Sequence, residues 1–156
     1  MPQAAHINIR LAGFIALLGA CLLACNSVFA LEFRSVSANA TVLYDAPSLK
    51  AKRLYVASQY YPVEVVVSLE DWNKVRDSHG DLAWVEKKQL SDKRTVLVTV
   101  PLANIRQTPE LKGQLVFQAE QNVALELIEF ASPGWVKVRH RDGQSGFVSI
   151  SQVWGI

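Results

Sequence analysis

Two stretches, Trp72-Asn73-Lys74-Val75-Arg76 and Trp135-Val136-Lys137-Val138-Arg139, carry the side chains best suited to hold a ligand. Side chains of a strand alternate between its two faces. Val75, or Val136 and Val138, then share one face, and Trp, Lys and Arg share the other. A face with two cations looks toward solvent, so Trp72 and Trp135 are at least partly exposed. An indole flanked by cations can stack on a sugar or peptide plane and attract a carboxylate. The competing role is structural, with each Trp a lid over a barrel rim, covered by its own loops or by the other copy. Tyr44 and Arg106 open equivalent loops upstream. The candidate ligand-binding set is therefore Tyr44, Trp72, Arg76, Arg106, Trp135 and Arg139.

Other residue types give less chemistry. His79 and His140 both fall in or beside a turn, a place where histidine is ordinarily just solvated, and two His without an acidic cluster cannot build an open zinc site. No G-x-S-x-G, P-loop or dinucleotide fingerprint occurs. The acid pair Glu70-Asp71 lies in a strand-to-strand turn. We expect no catalytic residue, no metal and no cofactor. Trp84 and Phe147 read as core. Tyr60 and Tyr61, just before Pro62, suit either loop contacts or packing. Trp154 suits a plug that closes a barrel or seals an interface between modules.

The elements that must position these residues come twice. Trp72–Arg76 recurs as Trp135–Arg139 at a shift of 63, which also lays Gly80 on Gly143, Ala83 on Gly146, Trp84 on Phe147 and Val85 on Val148. Upstream, Val42–Pro47 lies over Asn104–Pro109 at a shift of 62, and Val63-Glu64-Val65 over Val123-Ala124-Leu125 at a shift of 60. A longer hairpin around Ser132-Pro133-Gly134 absorbs the difference. Short β-rich runs at Leu54–Val56, Val63–Leu69, Thr95–Val100 and Leu115–Phe117, with turns at His79-Gly80 and Asp142-Gly143, predict strands and hairpins. Single-turn helices fit near Lys87–Leu90 and Ile150–Val153. The fold class is all-β, with two small barrels over residues 31–91 and 92–156. The joint at Ser91-Asp92-Lys93 has no Gly or Pro, which favours a fixed arrangement of the two.

The second copy resembles the bacterial Src-homology-3 family through Ala103-Asn104-Ile105-Arg106-Gln107-Thr108-Pro109, Gly134-Trp135-Val136-Lys137-Val138, Asp142-Gly143 and Gly146-Phe147-Val148. The first copy matches with Asp71 in place of the Gly before Trp72, and Ala83 in place of the Gly before Trp84. The resemblance implies two tandem SH3-like barrels acting as binding modules. Its members are often joined to wall hydrolases and bind peptidoglycan or its peptides; the expectation for this chain is a tandem with nothing appended. In more distant eukaryotic relatives the corresponding Trp borders the ligand groove.

The first thirty residues read as an address. Leu11–Cys25 is an apolar run of 15 residues after Arg10, shorter than the roughly 20 needed to span a bilayer. With Val28-Phe29-Ala30 behind it, it fits a secretory signal peptide over 1–30 cleaved after Ala30; a buried core helix is the alternative reading of the run. Leu22-Leu23-Ala24-Cys25 offers another route, a lipoprotein anchored at Cys25, and Leu18-Gly19-Ala20-Cys21 fits it less well. Cleavage after Ala30 leaves no Cys, so disulfides play no part and stability rests on packing. The whole chain has 156 residues, a net charge of +2, 50% hydrophobic and 19% charged residues. Those fractions indicate a folded protein, and the near-neutral balance lacks the basic footprint of a nucleic-acid binder. The combined expectation is an exported, periplasmic, non-catalytic protein with no transmembrane span in its mature part. Its ligand is an envelope peptide or peptidoglycan; the alternative is a scaffold for a periplasmic protein.

Overall fold

The computed structural model describes residues 31–156. The expected leader, with its cleavage site after Ala30 and Cys25, lies outside them. Fourteen strands form two antiparallel sheets of identical topology. The first holds β1 (Glu32–Val36), β2 (Thr41–Tyr44), β3 (Arg53–Ala57), β4 (Pro62–Ser68), β5 (Trp72–Arg76), β6 (Leu82–Glu86) and β7 (Leu90–Ser91), in the order β3-β2-β6-β5-β4-β1-β7. The second holds β8 (Thr95–Val98), β9 (Leu102–Arg106), β10 (Leu115–Glu120), β11 (Ala124–Phe130), β12 (Trp135–Arg139), β13 (Ser145–Ser149) and β14 (Val153–Trp154), in the order β10-β9-β13-β12-β11-β8-β14. Single 3-10 turns at Lys87–Gln89 and Ile150–Gln152 precede the last short strand of each sheet, where the sequence places them. Among the described residues no helix is long and apolar enough to cross a membrane.

Alternation builds each core. Val36, Leu43, Val63, Val75, Ala83 and Val85 fill the first barrel, and Val98, Ile105, Leu125, Val138 and Val148 fill the same places in the second, with Gly146 where the first has Ala83. Each fully buried Val or Leu stabilises the fold by roughly 1.5–3 kcal/mol, yet a barrel of about 60 residues remains marginal alone.

Strand pairing corrects one alignment made from the sequence. Val63 pairs with Arg34, and Leu125 with Val96, so Val63 corresponds to Leu125 and the shift there is 62, not 60. Both copies carry a β-bulge at that same place, Val65/Val67 and Leu127/Glu129. The single extra residue of the second copy sits in the β11–β12 hairpin. A slip of two residues preserves which face each side chain takes, so the assignment of inner and outer faces is unaffected.

The barrels touch. The ring of Phe33 on β1 meets Trp154 on β14 edge-to-face, with centroids 5.2 Å apart. Arg94 lies over Phe33 and donates through Nη2 to the Gly155 carbonyl at 3.0 Å. Thr95 Oγ1 donates to the Tyr60 carbonyl at 2.8 Å, and Arg34 pairs with Asp92 at the joint. Gly155 has φ +106°, and a Cβ there would stand 3.0 Å from the Thr95 oxygen and 3.3 Å from Pro62, so glycine suits both the backbone and the close approach. Trp154 thus seals the contact between modules, one of the two roles its position suggested.

Candidate functional site

The first barrel concentrates aromatic surface at one end of its outer face. Trp72 opens β5 and is half-buried, while Tyr44 ends β2 and is buried beneath it, so of the two only Trp72 offers surface. The two rings meet edge-to-face at 5.6 Å. Trp84 on β6 stands opposite both Tyr44 and Lys74, whose Nζ lies 6.0 Å from the indole centroid. The result is a row of three aromatic rings with one ammonium on it.

At the Trp72 end of this row, loops wall an open groove of about 880 Å³, which Trp72 lines and Tyr44, Lys74 and Trp84 do not. One wall is the β2–β3 loop, from Pro47 to Lys50. It is held by Asp45, whose N–H donates to the Lys52 carbonyl and whose Oδ1 accepts the Lys52 N–H. The other wall is the β4–β5 turn, Glu70 and Asp71, closed by the Leu69 N–H donating to the Trp72 carbonyl at 2.8 Å. The 3-10 turn is pinned to it by Lys87 N–H donating to the Asp71 carbonyl at 2.9 Å. Glu86 lies directly across from Trp72 and pairs with Lys88 at 2.8 Å, a hydrogen bond that holds the ammonium above its ordinary pKa. Glu70 and Asp71 face Lys50 and Lys87, so the groove offers both signs of charge around an aromatic floor.

The second barrel differs at the same place. Arg106 occupies the position of Tyr44, and its Nη1 donates to the Gly113 carbonyl at 2.8 Å, folding the guanidinium onto its own loop. That loop is tight: a Cβ on Gly113 would lie 2.5 Å from Thr108 Oγ1. Trp135 is half-buried at the start of β12, with no aromatic ring paired to it among the described residues.

Of the six candidates, Tyr44 and Trp72 are brought together. Arg76 and Arg139 lie at the far ends of β5 and β12, about 13 Å along each strand from their Trp. Arg76 Nη1 donates to both oxygens of the buried Glu64, at 3.0 and 3.2 Å. Arg139 approaches Glu126 at 4.0 Å, and Glu126 also holds Lys93 at 3.2 Å.

Trp84 and Phe147 are not core residues. They alternate with Ala83 and Val85, or Gly146 and Val148, and so point outward, half-buried beneath Lys74 and Lys137. Alternation gives the inner face to Ala83 and Val85, or Gly146 and Val148, so the large rings between them take the other face. Sequence reasoning also missed Glu86 and Lys88; the signal available was their place just after the second strand of a repeated hairpin, entering the 3-10 turn.

Among the described residues no group of three or more His, Cys, Asp and Glu is placed to hold a metal ion. His79 lies 3.9 Å from Asp77 and His140 3.0 Å from Asp142, each within its own turn.

Among solved structures, similar ones include NlpC2 of Trichomonas vaginalis (17% identity, 81% of this chain and 49% of that one, TM-score 0.38). NlpC1 of the same organism is 18% identical over 83% of this chain and 48% of that one, with TM-score 0.35. An NlpC/P60 family protein from Bacillus cereus ATCC 10987 is 19% identical over 79% and 56%, with TM-score 0.37. The chain spans about half the length of each. No curated protein matches it. A family model, however, matches twice, at residues 37–92 and 99–155, so two copies account for most of the chain. The chain belongs to the bacterial SH3 domain family.

Proposed function

We propose that this protein is a non-catalytic, exported module of the bacterial cell envelope, which holds a peptide or peptidoglycan-type ligand in the groove of its first barrel. The observation that carries the reading is Trp72, backed edge-on by the buried Tyr44, standing in an open groove with both signs of charge on its walls. An indole fixed this way by a buried tyrosine offers a rigid apolar plane at little entropic cost, while Glu70, Asp71, Lys50 and Lys87 can meet the amine, amide and carboxylate groups of a wall peptide. Family membership supports a binding role. The leader read from residues 1–30, cleaved after Ala30 or lipidated at Cys25, supplies the route to the envelope.

The two barrels contribute unequally. Trp72 has an aromatic partner and Trp135 has a self-satisfied Arg106 beside its equivalent position, so the first barrel carries the affinity. The test is co-sedimentation of the protein, purified as its host processes it, with protein-free peptidoglycan at low and high salt. Binding that survives salt, falls at least tenfold with Trp72→Ala and changes little with Trp135→Ala supports the reading. Equal loss from both, or no binding by the parent, refutes it.

A second reading, a scaffold for a periplasmic protein, is favoured by the edge strands. β3 and β10 border their sheets and expose Leu54 and Val56, or Leu115 and Val116, beside unpaired backbone groups suited to a partner strand. A discrete protein adduct on crosslinking in intact cells is the result that would favour it.

A further inference from the structure

A cleft of about 550 Å³ runs between the two barrels, and it takes residues from equivalent segments of both. Tyr60 and Tyr61 come from the first barrel where Asn122 and Val123 come from the second. Asp77 likewise faces the same cleft as its repeat equivalent, His140. A smaller hollow of about 170 Å³ adjoins it and shares Tyr60, His140 and Arg141. Neither barrel alone makes this site.

Two independent observations point to a ligand. The first is backbone strain. Tyr60 has φ +70°, in the left-handed region that a bulky residue rarely enters, whereas Asn122 has φ +68° at the equivalent place and is a residue that tolerates it. The conformation is imposed on both by the same bond, from the Tyr60 N–H to the Val36 carbonyl and from the Asn122 N–H to the Val98 carbonyl. Fold geometry thus explains the left-handed turn but not the tyrosine. Its ring stands at the mouth of the cleft, partly exposed, with Lys93 Nζ 5.0 Å from its centroid. Strained residues of this kind cluster at binding sites.

The second observation is charge. Around the Tyr60 ring the smaller hollow collects Lys93, Arg139 and Arg141 against one carboxylate, Glu126, which is shared between Lys93 and Arg139. Arg141 lines both hollows and has no ion-pair partner among the described residues. An aromatic plane beside an uncommitted guanidinium fits a planar or apolar body bearing a carboxylate.

We propose that the cleft between the barrels is a second binding site, separate from the Trp72 groove, for a small carboxylate-bearing ligand whose body packs on Tyr60 and whose carboxylate meets Arg141. The carboxylate belongs to a peptide terminus or to an acidic sugar, and the volume suits a di- or tripeptide or a disaccharide. The proposal does not depend on the groove reading.

The test is titration of the purified protein, followed by side-chain NMR of the tyrosines and histidines, with N-acetyl-Ala-Ala, its carboxamide, N-acetylmuramic acid and N-acetylglucosamine. Shifts at Tyr60 and His140 with either acid, at least tenfold weaker with its neutral counterpart, support the site, and the tighter acid identifies the source. Arg141→Gln weakens binding at least tenfold, while Lys112→Gln, the same charge change on an exposed loop elsewhere, leaves it intact. Tyr60→Asn, which installs the residue of the other copy, weakens binding and raises the melting temperature together. Acids and neutral analogues that bind alike, no shift with any probe, or equal effects of Arg141→Gln and Lys112→Gln overturn it.

Discussion

Adding one methyl group at residue 146 tests how the second barrel is packed. A Cβ on Gly146 would stand 2.6 Å from the Arg106 carbonyl oxygen and 2.7 Å from Ile105 Cγ2, both inside any tolerable contact. The first barrel nevertheless has Ala83 at this position, buried at 1% exposure. The difference opposite it is Leu43 in place of Ile105, and Leu carries no branch at Cβ. The methyl therefore fits only where the facing branch is absent and the strands ease apart by a few tenths of an ångström. Gly146→Ala should cost about 2–3 kcal/mol, the upper range of core overpacking. Ile105→Leu alone should cost less than about 1.5 kcal/mol. The double variant should be less destabilised than the two singles together by about 1 kcal/mol, a coupling expected of residues in direct contact. Urea unfolding of all four proteins, with unchanged slopes, reads these differences from the midpoints. Strictly additive singles, or a harmless Gly146→Ala, would refute the reasoning.

Further predictions concern other parts of the molecule. Trp154→Ala removes the edge-to-face partner of Phe33 and should lower stability by about 2–4 kcal/mol, with calorimetry splitting one transition into two as the barrels uncouple. Arg76→Met leaves Glu64 buried at 9% exposure without its cation, and should cost about 1–2 kcal/mol, discounted because the guanidinium is itself half-exposed. Adding Glu64→Gln should recover most of that loss in the same unfolding assay. Burial, and then the nearby Asp77 carboxylate, hold the Tyr55 hydroxyl above its ordinary pKa of 10.0. The neutral phenol is thus favoured by the fold, so its stabilising effect is complete below pH 10 and is lost as pH rises beyond it. Tyr55→Phe should flatten the fall in stability above pH 10 and leave stability at neutral pH equal or slightly higher, because it removes a buried hydroxyl with no hydrogen-bond partner among the described residues.

Much of the architecture is legible in the residue pattern. Trp135–Arg139 reads as a strand because two valines alternate with a Trp and two cations, and it is one. The turns at His79-Gly80 and Asp142-Gly143 are legible because glycine supplies the positive φ each needs, +92° and +96°. Trp84 and Phe147 were misread because their hydrophobicity outweighed the same alternation that placed Trp72 correctly. Arg76 and Arg139 share a face with their tryptophans, but a shared face does not mean proximity; four residues of strand separate them by a span no side chain bridges. The cleft between the barrels left one local trace, a tyrosine where the other copy has asparagine. Its remaining features depend on how the barrels meet, through Phe33, Pro62 and Gly155, which no periodicity within either copy encodes.

The contact between Phe33 and Trp154 also bears on the order in which the chain is made. Phe33 lies on the first strand described, while its ring partner and the Gly155 carbonyl that holds Arg94 come after every other strand of the second barrel. Whether the chain emerges from a ribosome or from a translocation channel, that partner follows Phe33 only after the rest of both barrels has emerged. Through that interval the first barrel, though topologically complete by Ser91, presents an uncovered phenylalanine on a core that is marginal by itself. Anything that delays Trp154 and Gly155 leaves that face open to whatever apolar surface it meets.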